Sequence, residues 1–119
     1  MNNINVEYLE KLISPYDLKN ELNLKYEDME FINESRKEIN KNLNNNTGKM
    51  VVLMGPCSIH NYNETLKYAN FIKEMINKYK NILLIMRIYF EKPRTIKGWK
   101  GYLYDPLLNE TNNIKLGLY

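Results

Sequence analysis

Two short unbroken apolar runs, Met50–Met54 and Ile82–Met86, bracket a segment whose apolar residues recur every three or four positions. That order constrains the fold of this chain more than any other feature. Short runs rich in Val, Ile and Leu without polar alternation belong to strands buried on both faces, as in parallel sheets. Gly55-Pro56 breaks the first run. Asn61, followed three residues later by Glu64, then signals a helix start, and Leu66, Ala69, Ile72, Met75, Ile76 and Tyr79 trace one helical face to about Lys80. Strand, helix and strand with short connections predict a right-handed βαβ unit with parallel strands. The loops leaving the two strands, which carry Cys57 and Arg87, would lie side by side at the carboxyl edge where α/β sheets and barrels place their chemistry.

Upstream, Met29, Ile32, the stem of Arg36, Ile39 and Leu43 recur at helical spacing, predicting an amphipathic helix over about 26–43 that the Asn-rich stretch to Gly48 terminates. Residues 1–25 show no firm period, and Ser14-Pro15 marks a turn or the start of a short helix. The tail from Leu107 to Tyr119 carries neither a strand nor a helix signal. A length of 119 residues bounds the chain to one modest domain. Its net charge of +3 is spread without blocks of like charge, which argues against a nucleic-acid binder. The single cysteine excludes an internal disulfide framework and fits a reducing, cytoplasmic setting. The opening residues have no secretory pattern, and no apolar run approaches the roughly 20 residues of a membrane helix.

The segment from Met86 to Gly101, MRIYFEKPRTIKGWKG, concentrates Arg87, Lys92, Arg94, Lys97 and Lys100 around one acid, Glu91. The chain has three arginines, and two are here. A guanidinium offers a rigid fork that grips carboxylate or phosphate bidentately, which lysine cannot do. Pro93 stiffens the run and pushes Lys92 into an extended conformation. The segment therefore reads as an anion-binding loop, against the plainer alternative of a solvated charged loop. Tyr89 and Phe90 are expected to pack, Glu91 to pair with a lysine, and Trp99 either to stack on a ligand or to anchor the loop.

Cys57 lies in GPCSIH, at a turn that would present its thiol on the sheet edge. A small buried apolar residue, a metal ligand and a nucleophile all suit a lone cytosolic cysteine. His60 is the only histidine, so the usual Cys and His ligands cannot complete a metal site within this chain.

GPCSIH followed by MRIYFEKPRTIKGWKG resembles the type I 3-deoxy-D-arabino-heptulosonate 7-phosphate (DAHP) synthase family, over about Ser35 to Asp105. The resemblance implies a metal-dependent (β/α)8 TIM barrel that condenses phosphoenolpyruvate with erythrose 4-phosphate, the first step of the shikimate pathway. It implies Cys57 as a ligand of a divalent metal ion, Arg87 and Lys92 as groups binding phosphoenolpyruvate, and Lys92, Pro93, Arg94 and Thr95 as the segment facing erythrose 4-phosphate. Lys92, between the substrates, would be the catalytic proton donor. Asn61, Ile96, Tyr102, Tyr104 and Lys115 depart from the family pattern. A (β/α)8 barrel needs about 250 residues, and the chain supplies two of its eight strands. The expected architecture is thus α/β: a helical N-terminal extension over 1–48, then the start of a barrel over 49–119, incomplete in this chain. The chain is read as a fragment, inactive alone and a homo-oligomer when full length. The alternative is a truncated remnant that binds phosphate esters without turnover.

Overall fold

A computed structural model describes residues 11–45 and 47–119, so the first ten residues of the N-terminal stretch and Asn46 lie outside the description. The elements run α1 (Pro15–Glu21), α2 (Tyr26–Asn45), β1 (Met50–Met54), α3 (Tyr62–Lys78), β2 (Ile82–Met86) and α4 (Ile114–Gly117). Both expected strands form, and they pair in parallel from Met50 opposite Ile82 to Met54 opposite Met86. Neither strand interior contains a proline or glycine that would break this ladder.

Helix α3 starts where the Asn61 side chain accepts a hydrogen bond from the Glu64 amide at 3.1 Å, capping a donor that the first turn would leave unpaired. Glu64 and Lys78 also suit the two ends of the helix dipole. Ile72, 3% exposed, is the buried core side chain of the βαβ unit among the described residues and sits on the predicted face of α3, which packs on β2. No described side chain reaches full burial. Among the described residues the sheet has two strands, each with one unpaired edge, and a sheet that small does not enclose a larger core.

Helix α1 begins at Ser14, whose hydroxyl accepts from the Asp17 amide while Pro15 occupies the first turn. Helix α2 spans the predicted segment, but its stripe is less covered than expected. Met29 is 45% exposed, Leu43 is 70% exposed, and the residue that is buried is polar, Asn42. The Asn42 amide donates to the Lys49 carbonyl at 2.9 Å and accepts from the Thr47 hydroxyl, tying the end of α2 to the start of β1. The periodicity correctly marked a helix, and the small two-stranded sheet leaves most of its apolar stripe unopposed.

The tail also departs from expectation. Asn113 caps the single turn of α4 by accepting from the Leu116 amide at 3.1 Å. Four residues are too few to produce the periodicity by which helices are recognised. Among the described residues no helix is long and apolar enough to cross a membrane.

Candidate functional site

The β1 ladder continues into the loops beyond it. The Arg87 amide donates to the Met54 carbonyl at 2.7 Å, so the first residue after β2 lies against the end of β1. Gly55 permits this approach: a β-carbon there would stand 2.4 Å from the Arg87 carbonyl oxygen. Farther along, Ser58 and Ile59 both reach the Tyr89 carbonyl, through the Ser58 hydroxyl at 2.7 Å and the Ile59 amide at 2.9 Å. At the tips, Lys92 Nζ donates to the Cys57 carbonyl at 3.0 Å and lies 2.6 Å from Cys57 Sγ. The loops thus run in register through three successive contacts, beginning at the strand ends and finishing at a thiol–ammonium pair.

Cys57 is exposed, which removes the buried-apolar alternative for it. Its pKa falls below the ordinary thiol value of 9.0, first because Lys92 donates a hydrogen bond to it and second because the same ammonium is a nearby positive charge. Arg87 and Arg94 lower it further, and desolvation opposes them. The thiolate is the form that ligates metals and attacks electrophiles. Among the described residues no group of three or more His, Cys, Asp and Glu side chains comes together, so Cys57 is a suitable donor without companions.

The cationic segment folds back on itself. The Lys92 amide donates to the Lys100 carbonyl at 2.8 Å, and the Leu103 amide donates to Phe90 at 3.1 Å. Gly101, at φ +108°, makes the return possible, since a β-carbon there would meet the Phe90 carbonyl at 2.5 Å. The fold forms a cavity of about 300 Å³ lined by Lys92, Pro93, Arg94 and Lys100 with Tyr89, Tyr104 and the single acid Glu91. Three cations against one carboxylate leave the concavity net positive, which suits a phosphate or carboxylate group. Arg87 and Thr95 do not line it; Arg87 instead lies over the Tyr89 ring, 5.3 Å from its centroid.

Trp99 anchors the loop: its indole N–H donates to the Asp105 carbonyl at 2.8 Å. The Asp105 carboxylate is buried and accepts from the amides of Asn109, at 3.4 Å, and Glu110, at 3.0 Å. Two expectations fail here. Tyr89 and Phe90 are 40% and 48% exposed, because little structure is present to cover them, and Glu91 forms no ion pair among the described residues. Sequence reasoning passed over Ser58 and Asp105. Only the position of Ser58 beside Cys57 hinted at it, since its partner lies 31 residues away.

A family model described as "DAHP synthetase I family" matches residues 17–118. The chain is 38% identical over 111 residues to the Trp-sensitive phospho-2-dehydro-3-deoxyheptonate aldolase of Escherichia coli O157:H7, covering 92% of this chain and 32% of that protein. It is 34% identical over 114 residues to the phospho-2-dehydro-3-deoxyheptonate aldolase of Haemophilus influenzae, covering 95% of this chain and 32% of the relative. The solved structure of the Francisella tularensis SCHU S4 phospho-2-dehydro-3-deoxyheptonate aldolase matches with a TM-score of 0.87 at 41% identity, over 95% of this chain and 33% of that one. The chain spans about a third of the length of the curated relatives it matches.

Proposed function

The chain belongs to the DAHP synthetase I family, and from that premise we propose that it carries the first substrate-holding loops of a synthase condensing phosphoenolpyruvate with erythrose 4-phosphate. The observation that carries this proposal is the convergence of Cys57 and Lys92 beside a cavity lined by Lys92, Arg94 and Lys100. In the proposed site, Arg87 and Lys92 hold phosphoenolpyruvate, while Lys92, Pro93, Arg94 and Thr95 face erythrose 4-phosphate. Two anions repel one another, and fixed cations between them offset that repulsion and bring the reacting carbons together. As the C2=C3 electron pair of phosphoenolpyruvate bonds C3 to the aldehyde carbon, the carbonyl oxygen becomes an alkoxide that takes a proton from the Lys92 ammonium, while water adds at the electron-poor C2 and inorganic phosphate leaves.

Cys57 is the residue that would hold a divalent metal ion, which when bound supplies Lewis-acid polarisation of the aldehyde oxygen. The remaining ligands and six further strands belong, in this proposal, to polypeptide beyond this segment, with residues 1–48 an extension and 49–119 the opening of a (β/α)8 barrel. The open strand edges and the sparse burial support that architecture. The intact protein is proposed to be a cytoplasmic homo-oligomer.

The test is turnover of both substrates by intact protein loaded with a divalent metal, compared with Cys57→Ala. Loss of both bound metal and condensation in the variant is expected. Full activity with normal metal content in Cys57→Ala would remove Cys57 from the site. Binding of phosphate esters without condensation by intact protein would instead favour a remnant that binds and does not turn over.

A further inference from the structure

We propose that Ser58 is a positioning residue, whose buried hydroxyl sets the separation of the Cys57 and Lys92 side chains. Ser58 is 8% exposed, although it stands between exposed Cys57 and partly covered Ile59. Its hydroxyl reaches the Tyr89 carbonyl at 2.7 Å and the Ile59 carbonyl at 3.2 Å, and its one proton favours the shorter contact. The Ile59 amide donates to the same Tyr89 oxygen at 2.9 Å, so two donors from the first loop hold one acceptor on the second. Cys57 precedes Ser58 directly, and Lys92 follows Tyr89 by three residues. Whatever fixes Ser58 to Tyr89 therefore fixes the two chain tips that meet beyond it.

The contacts at the tips cannot hold themselves in place. Cys57 is exposed, lysine is a long and mobile side chain, and exposed charge-assisted contacts are weak unless their backbones are fixed. Apart from the Ile59 amide on the same Tyr89 oxygen, the next restraint between the loops, the Arg87 amide on the Met54 carbonyl, lies back at the strand ends. A buried hydroxyl between them closes that gap, at a point where water cannot replace the lost donor. Ser58 touches no substrate in this role and acts through the backbone of its neighbours.

The role rests on Cys57 and Lys92 being the working pair proposed above, but its test requires neither metal nor substrate. o-Phthalaldehyde forms a fluorescent isoindole where a thiol and a primary amine are in contact, so it reports their proximity. Intact protein should form the isoindole, with Cys57→Ser and Lys92→Met giving the background. Ser58→Thr keeps the hydroxyl and should form it at the parent rate. Ser58→Val has nearly the same shape without the hydroxyl and should be slower by roughly fivefold, the effect of losing one buried hydrogen bond. Equal rates for the Thr and Val variants would overturn the role. Loss of the helical circular dichroism of Ser58→Val together with its fluorescence would also overturn it, by making Ser58 a folding residue. A Thr–Val difference in protein that fails to condense the two substrates would leave the positioning role standing and remove the proposed function alone.

Discussion

The arm formed by α1 and α2 and the βαβ unit that follows are held by different physics. In the arm, local signals predominate, with one distant contact where the Tyr119 hydroxyl donates to the Glu21 carboxylate at the end of α1. Ser14 caps α1, Lys37 and Glu34 pair one turn apart at 2.8 Å, and the link to the sheet is polar, through Asn42 and the Lys49–Glu38 pair at 2.5 Å. In the βαβ unit, contacts between residues more than thirty positions apart decide the geometry, from the five-pair strand register to the Cys57–Lys92 pair. Helices without a packed face rely on caps and propensity, which contribute about 1 kcal/mol each, whereas a crossover places whole loops. The chemistry accordingly sits where the long-range contacts are.

Substitutions can break this contrast, beginning with the largest expected effect. Gly55→Val would drive a side chain into the Arg87 carbonyl and should destabilise the intact protein by about 3 kcal/mol, read as a lower urea midpoint with an unchanged slope. Ile72→Ala should cost about 2–3 kcal/mol by the same measurement, as expected for truncating a buried aliphatic side chain. Asn42→Ala leaves the Lys49 carbonyl without that donor and should cost about 1 kcal/mol. If Asn42→Ala proved more damaging than Gly55→Val, the arm would be the organising element and the contrast would be inverted. Glu34→Ala, which removes an exposed pair on α2, should change stability by less than about 0.5 kcal/mol.

The pH dependence of Cys57 sharpens the same comparison at its chemical end. Its thiol titrates below 9.0 in the folded protein because of Lys92, so the associated stabilisation is present above the ordinary thiol pKa and fades as pH falls through the lowered value. Iodoacetamide alkylation should therefore reach half-maximal rate below pH 9.0, and Lys92→Met should move that midpoint upward. An unmoved midpoint would show that the loops do not bring these groups together in solution.

The sequence determined the parts of the molecule governed by neighbours close along the chain. The apolar runs at Met50–Met54 and Ile82–Met86, the Asn61 cap and the cationic composition of 86–101 could all be read directly, because strand burial, capping and charge act within a few residues. It also placed Cys57 and Arg87 at one sheet edge, since the handedness of a βαβ crossover leaves little choice. Tertiary structure decided which cation faces the thiol. Arg87 follows the strand directly and turns over the Tyr89 ring, while Lys92 comes back to Cys57. It also decided that Ser58 is buried, that Trp99 anchors to Asp105, and that Tyr89 and Phe90 remain exposed. These outcomes depend on the path of two irregular loops, set by hydrogen bonds to backbone carbonyls that every residue possesses, so no residue type announces them.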